Sequence, residues 1–422
     1  MATTDALNKR RVDAIDLVRW APVADLQMFE EMPQPGCLES GVIISNVFAF
    51  RWAMAAGTRA GTLLYKSTSE RAADLSEAEV AAGGGGAFIQ AALYAPESRR
   101  RWKQFFANHA DLWDQGSSWA KVALLYWNDQ VFYEYPEHNA IAHRLVHVLS
   151  ESQVPFDMVT EQGLDRITAY PVVLAPMLRY VDEAQLETIL DYVRQGGNLV
   201  LIEPFATEDR YARLRSANPP AAGDIQTGVY GAGKILRLHS DEVPARQSDL
   251  WCLMEERANA YLLARDYLNR TRAADHAAGI DLGPQFVRRL EQTFQLRLRW
   301  CSEQTDPALY IHAYQLPANE PRPQRIVVHA VNYHLPILVE NGRGEDGEEA
   351  WSGVTQSGDP VVCKNLQITV PLPAGWRAKH VQALSPTDPL APVTWRSEQG
   401  QVTLHVDQVA IYQALCIDLE KE

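Results

Sequence analysis

Residues 170–204 read YPVVLAPMLRYVDEAQLETILDYVRQGGNLVLIEP. Pro171–Pro176 is a short apolar run with the composition of a buried strand. Asp182–Gln195 reads as a helix that stops at Gly196-Gly197, a strong C-terminal signal. Asn198–Glu203 is the next strand. The same alternation extends outward on both sides. Upstream lie a strand at Lys121–Trp127, a helix at Asn139–Glu151 and a strand at Phe156–Thr160. Downstream come a loop over Ala206–Gly233, a strand at Lys234–Leu238, and helices at Asp249–Arg270 and Pro284–Leu298. Strands that alternate with helices of this length imply crossover units and a parallel sheet covered on both faces. The expected fold of residues 118–300 is therefore α/β, doubly wound and flavodoxin-like.

The flanks read differently. In residues 1–115 helical spacing is seen at Ala6–Trp20, and Asp25–Glu31 is a short strand. Val42–Ala56 is helical, with Phe48, Trp52 and Ala56 at four-residue intervals. Thr62–Tyr65 is a short buried strand. Ser69–Ala82 is a helix with a serine cap that ends at Gly83–Gly86, and Arg99–Trp113 is an aromatic-rich helix. From 305 to 422 the pattern becomes all-β. Strands are expected at Ala308–Tyr314, Arg325–Tyr333, Asn365–Val370, Lys379–Ala383, Val402–Val406 and Ala410–Ile417, with Pro and Gly turns between them. So many short strands in one stretch imply a C-terminal β-sandwich. The acidic run Glu340–Glu349 has the composition of a solvated loop.

Composition excludes several classes of function. The chain has 422 residues and a formal net charge of −14. That charge argues against a nucleic-acid partner, whose phosphates require clustered Lys and Arg. The five cysteines are Cys37, Cys252, Cys301, Cys363 and Cys416. They form no CxxC pair, so neither a zinc site nor a disulfide framework is expected. No apolar run of membrane-spanning length occurs, and the polar start carries no signal-peptide core. A cytoplasmic protein without cofactor or metal is the expectation.

The stretches VALLYWND (from Val122), YPEHNAIAHRLVHVLSESQVPFDMV (Tyr135–Val159) and the opening sequence together resemble the trimerisation domain of glycoside hydrolase family 42 β-galactosidases. That domain is itself similar to class I glutamine amidotransferases without their chemistry. In the family, a (β/α) barrel precedes this domain and a small β-sandwich follows it. The resemblance implies that residues 1–115 are a partial barrel remnant. Val42–Ala56 would then be the seventh barrel helix, Thr62–Tyr65 the eighth strand, and Gly83–Gln90 the close of the last helix. Strands missing from a barrel would leave unpaired edges and apolar helix faces, so a homo-oligomer, a trimer being one form, or a partner chain that completes the barrel is expected.

The family's nucleophilic glutamate ends the seventh strand, and Gln27-Met28-Phe29-Glu30-Glu31-Met32-Pro33 is similar to that segment. The resemblance makes Glu30 the candidate catalytic residue. The plainer reading is a strand-end glutamate facing solvent. Glu31 is weaker, because a period of two turns it to the other face. Retaining hydrolysis needs two carboxyl groups about 5 Å apart. The family's acid lies on the fourth strand, and a whole barrel takes about 250 residues. The expected activity is therefore that of a glycoside-hydrolase-like assembly or accessory subunit. The alternatives are an active retaining glycosidase with Glu30 as nucleophile, once further strands are supplied, and a carbohydrate-binding scaffold. At the eighth strand the family's aromatic-Gln-Trp-Arg is replaced by Leu64-Tyr65-Lys66-Ser67.

Other motifs take structural readings. No cysteine follows Asn198–Glu203, so amidotransferase chemistry is not expected. Gly228–Lys234 (GVYGAGK) lacks phosphate-loop spacing and leads into a strand. His143 and His147 lie four apart without the HExxH glutamate, and fit a helix packed near the sheet. His329 and His334 fall on opposite faces of one strand. Trp102, Phe105, Phe106 and Trp113 fit core packing between the N-terminal region and the middle domain.

Overall fold

The computed structural model describes residues 2–3, 17–24, 26–30, 35–37, 41, 43–64, 69–84, 87–90, 95–113, 116–132, 136–214, 227–244, 282–318, 323–339, 354–390, 392–398 and 400–422. The strands are β1 (Ala2–Thr3), β2 (Leu26–Glu30), β3 (Gly36–Cys37), β4 (Ile43–Ile44), β5 (Arg59–Leu64), β6 (Ala87–Gln90), β7 (Ser117–Ser118), β8 (Val122–Leu125), β9 (Phe156–Val159), β10 (Val172–Pro176) and β11 (Asn198–Ile202). They continue with β12 (Gly228–Tyr230), β13 (Gly233–Leu238), β14 (Leu309–Leu316), β15 (Arg325–Asn332), β16 (Ile337–Val339), β17 (Val354–Ser357), β18 (Cys363–Pro371), β19 (Trp376–Leu384), β20 (Thr394–Glu398), β21 (Gln401–Val409) and β22 (Tyr412–Lys421). The helices are α1 (Leu17–Trp20), α2 (Val47–Ala55), α3 (Glu70–Ala82), α4 (Pro96–Asn108), α5 (Asn128–Phe132), α6 (Pro136–Glu151), α7 (Glu183–Arg194) and α8 (Leu282–Phe294).

In the N-terminal region β1, β2, β5 and β6 form a parallel sheet in that order. Gly83–Gln90 was expected to close a helix, but Ala87–Gln90 is a strand paired with β5. α3 does end at the glycines, with Gly83 as its cap. The residues beyond them are apolar enough to join the sheet. Ser69 caps α3 as expected, its hydroxyl accepting from the Ala72 amide at 3.3 Å. α2 starts only at Val47, because Ile43–Ile44 pairs with Gly36–Cys37 instead. Most of Ala6–Trp20, all of Asp249–Arg270 and the acidic run Glu340–Glu349 lie outside the described residues.

The middle region is a six-stranded sheet in the order β12-β13-β11-β10-β8-β9, parallel except for the edge strand β12. Alternate residues of its strands serve two separate cores. Val122, Leu124 and Leu174 belong to one cluster with α6 and α8, while Ala123, Leu125 and Val173 join α7 in the other. Near-continuous apolar strands are the signature of a sheet covered on both sides. α7 begins with a capping box. Asp182 accepts from the Gln185 amide at 2.8 Å, and Gln185 returns a bond to the Asp182 amide at 2.9 Å. Such caps stabilise a helix by about 1 kcal/mol.

Beside the small antiparallel pair β16-β17, the described C-terminal region has two larger antiparallel sheets, β19-β22-β15-β14-β7 and β18-β21-β20, which share one apolar core. Ser117–Ser118 pairs with β14 in the first of these. The link out of the N-terminal region is thus stitched to the C-terminal sheet before the middle sheet begins. Cys301, Cys363 and Cys416 are buried free thiols in or beside these sheets. Burial pushes each up to about 12, which leaves them unreactive.

The GVYGAGK segment forms a tight β12–β13 turn against the end of α7. A Cβ on Gly233 would lie 2.0 Å from the Gly197 carbonyl oxygen, so no side chain fits there. Gly233→Val should lower stability by about 1–3 kcal/mol through overpacking. Urea unfolding should show a lower midpoint with an unchanged slope.

Candidate functional site

The four N-terminal strands run parallel, so their C-terminal ends share one edge. Register places Thr3 opposite Glu30, Glu30 opposite Leu63, and Leu64 opposite Gln90. Glu30 is the last residue of β2. In parallel β/α folds, function concentrates at this edge, because the loops leaving the strands converge there. Glu31 and Tyr65–Ser67 lie outside the described residues.

The opposite edge carries a cleft of about 610 Å3, lined by Ala24, Arg59, Gly84, Trp113 and Tyr314 among others. Ala24 lies just before β2 and Arg59 opens β5, so the cleft is distant from Glu30 along the strands. Its polar side chains are already engaged. Trp113 Nε1 donates to the Ala81 carbonyl at 2.8 Å and the Tyr314 hydroxyl to Ala82 at 2.6 Å. Both acceptors are terminal carbonyls of α3, which no helical amide can reach. Thr58 Oγ1 donates to Ala24 at 3.1 Å.

Beneath the sheet a buried cation joins the three regions. Arg51 on α2 donates to Asp157 Oδ1 on β9 at 3.3 Å, and to His312 Nδ1 on β14 at 2.5 Å. A guanidinium can only donate, so His312 Nδ1 accepts and the ring is neutral. Burial, then Arg51, then His329 hold His312 well below its ordinary range. The Tyr170 hydroxyl donates to the second Asp157 oxygen at 2.8 Å. His329 Nδ1 bonds Tyr412 Oη at 2.8 Å, and its pKa is pushed down to about 3 by burial and Arg51. His334 lies beyond the end of β15 and so off the strand that carries His329, where both were expected. It pairs with Asp306 at 2.9 Å.

The aromatic row from Trp102 to Trp113 is core, but its ring partners lie on the C-terminal sheet and not on the expected middle domain. Trp102 and Phe105 pack on Tyr412, and Trp113 lies near His329, all on the C-terminal sheet. His143 stacks on Phe48 at 3.7 Å between ring centroids, and burial drives it down to about 3. On α3, Asp74 accepts from Ser98, Arg101 and Trp102. Glu79 accepts from the Asn46 amide and side chain at 2.7 and 2.8 Å. Burial raises Glu79 to about 7 and Glu77 to about 8. Sequence reasoning missed both acids, because helical spacing alone does not tell that α3 is buried nearly all round.

In the middle sheet, strand order reverses between β8 and β10, where open α/β sheets bind ligands. Here that crevice is filled from within. His138 accepts from the Trp127 amide at 3.2 Å and contacts the Pro176 carbonyl at 2.6 Å. Gln130 bridges both backbone groups of Tyr180. No cysteine stands there. Among the described residues no group of three or more His, Cys, Asp or Glu could hold a metal ion, and no helix is long and apolar enough to cross a membrane.

The β-galactosidase trimerisation domain matches residues 107–232, which hold the start of this plugged sheet. The chain is similar to glycoside hydrolase family 42 proteins. Solved structures with this fold include an α-L-fucosidase (isoenzyme 2) from Paenibacillus thiaminolyticus, at TM-score 0.56 and 12% identity, covering 94% of this chain and 65% of that one. A β-galactosidase from Bacillus circulans sp. alkalophilus matches at TM-score 0.53 and 12% identity, covering 96% and 62%. A catalytic mutant of a family 42 β-galactosidase from G. stearothermophilus matches at TM-score 0.51 and 11% identity, covering 96% and 61%. The chain thus spans less than two thirds of each of these structures. No curated protein matches the chain in sequence.

Two outcomes follow from the buried network. Arg51→Ala strands Asp157 and should cost about 3–5 kcal/mol, as broken buried pairs do. Arg51→Lys should recover only part, since one ammonium lacks the forked geometry. Equilibrium unfolding measures both. Stability should also peak near pH 6–7. His138, His143 and His329 have folded values of about 4, 3 and 3. Below pH ~6.5 the unfolded chain binds protons that the folded chain refuses, so stability falls by about 1.4 kcal/mol per unit for each histidine. Glu77 and Glu79 are raised, so their contribution is full below pH ~4.5 and is lost as pH rises through about 7 to 8. Melting temperatures from pH 4 to 9 test this. A profile rising monotonically to pH 9 would contradict it.

Proposed function

We propose that this chain is the assembly-bearing part of a glycoside hydrolase of the β-galactosidase type. In this reading residues 1–115 are part of a (β/α) barrel, 118–300 a flavodoxin-like assembly domain and 305–422 a sandwich. The observation that carries it is the match of residues 107–232 to a trimerisation domain. The middle strand order also supports it. Taken in chain order, the five parallel strands run 2-1-3-4-5, the flavodoxin-like sequence. The filled switch-point crevice suits a domain that binds copies of itself instead of a cofactor.

Glu30 is then the nucleophilic carboxylate, contributed at the C-terminal edge of the parallel sheet. Its role is to attack the anomeric carbon, while a second carboxyl group protonates the leaving oxygen. That acid comes from further parallel strands beside β1 or β6, the two outer strands of the described sheet. A nucleophile without its acid loses about 10²–10⁴-fold in rate. The chain on its own is therefore an assembly or accessory subunit with little turnover. The carbohydrate-binding scaffold remains the second reading, favoured by Glu30 being the one acidic residue among the described strand ends at this edge.

Two measurements test the proposal. Light scattering at micromolar concentration should give a mass of several chains, and a monomer would remove the assembly role. Aryl β-galactoside and aryl α-L-fucoside should be turned over slowly or not at all by the chain alone. When a polypeptide carrying further barrel strands restores turnover, Glu30→Gln should abolish it. An unchanged rate would exclude Glu30 as nucleophile.

A further inference from the structure

The cleft at the edge opposite Glu30 takes no part in hydrolysis or assembly as described so far. Its volume of about 610 Å3 falls within the range of clefts that hold small ligands, about 300–1,000 Å3. It lies where the ends of α2 and α3 meet the entry to β2 and Tyr314 of β14. Register sets Arg59 opposite Leu26 and Leu63 opposite Glu30, which puts four residues, or about 13 Å of strand, between the two places. Val23 lines the cleft while 86% exposed, an apolar side chain that the fold leaves uncovered.

The polar groups of the lining face one way. Thr58 gives its hydroxyl proton to the Ala24 carbonyl at 3.1 Å, and Tyr314 gives its own to Ala82 at 2.6 Å. The Trp113 indole N–H is taken by Ala81 at 2.8 Å. What the two hydroxyls keep are acceptor lone pairs. Gly57 adds bare main chain, since a Cβ there would meet nothing within 4 Å. Such a wall suits a ligand that donates. Charge sets a second condition. Arg59 is the one charged residue among the described residues of the lining. Against it stand the C-terminal ends of α2 and α3, which carry the negative ends of their dipoles. Cation and helix ends offset each other, so the cleft favours neither an anion nor a cation. An uncharged ligand rich in hydroxyl donors, with an apolar C–H face for the Trp113 ring, is a sugar.

We propose that this cleft is a carbohydrate site separate from Glu30's edge, taking one neutral hexose unit, free or at the end of a longer glycan. The sugar hydroxyls donate to the Thr58 and Tyr314 oxygens, and the Arg59 guanidinium donates to the sugar oxygens. Among the described residues no carboxyl group lines the cleft, so the sugar is held and not cleaved. The site deepens the carbohydrate-binding reading above and rests on it for the choice of sugars tried.

The test is saturation-transfer NMR with D-galactose, L-fucose and D-glucose on the full chain. At least one should bind, with a dissociation constant of about millimolar order for so small a ligand. Ala24→Trp, which fills the cleft with a large ring, should abolish that signal. Arg59→Ala should weaken binding about tenfold, as the loss of a charged donor does. Glu30→Gln should leave it unchanged. Binding that survives Ala24→Trp, or is lost with Glu30→Gln, overturns the cleft as the site and leaves the carbohydrate reading standing. Absence of binding by the unaltered chain overturns both. D-galactosamine or D-galacturonate binding more tightly than D-galactose overturns the neutral class of ligand. Unchanged circular dichroism and melting temperature establish folding. Should Ala24→Trp melt early, Arg59→Ala decides, because Arg59 is exposed, and undiminished affinity in that variant overturns the site.

Discussion

A guanidinium buried at the meeting point of three regions constrains everything around it. A buried guanidinium presents only donors, so Arg51 must be met by acceptors where it lies. Asp157 comes from the middle sheet and His312 from the C-terminal sheet. Asp157 is held in turn by Tyr170, and His329, opposite His312 on the next strand, by Tyr412. Hydrophobic packing alone would let three such surfaces slide against one another. A directional, charged contact sets one arrangement and penalises the others, so α2 has a fixed position over both sheets. Because α2 connects β2 to β5, the same contact fixes the parallel sheet that ends in Glu30.

That arrangement separates tasks by edge and by face. The C-terminal edge of the N-terminal sheet holds the candidate carboxylate. The opposite edge is a seam, in which Trp113 and Tyr314 satisfy the last carbonyls of α3. The middle sheet reverses its strand order between β8 and β10, and His138 and Gln130 occupy that place with hydrogen bonds to backbone groups. A parallel sheet can serve as a scaffold once its ligand site is filled by its own polar groups.

Several elements were readable before the fold was known, because their signals are local. The helix was read from Asp182 to its stop at Gly196-Gly197, and the apolar strands announce their burial on both faces. Ala87–Gln90 was not readable. Four residues after a glycine run carry no period, and only their pairing with Gly61–Leu64 makes them a strand. The same holds for Ser117–Ser118, a polar pair that is a strand solely because Tyr314 and Gln315 lie opposite. The aromatic row from Trp102 to Trp113 was recognisable as core. Its partner sheet was not, since amphipathic spacing says that a face is buried and never against what.

For the candidate site, the sequence by itself determined the alternation of strand and helix, the glutamate that ends β2, and the lack of a cysteine after β11. These follow from residue type and spacing along one chain. Only the tertiary structure decided that α3 buries Asp74, Glu77 and Glu79, that four histidines are held neutral, and that Arg51 links all three regions. Such features depend on desolvation and on distant partners, which for Arg51 lie 106 and 261 residues away. Neither can be computed from local pattern, because the cost of burying a charge is set by what folds over it.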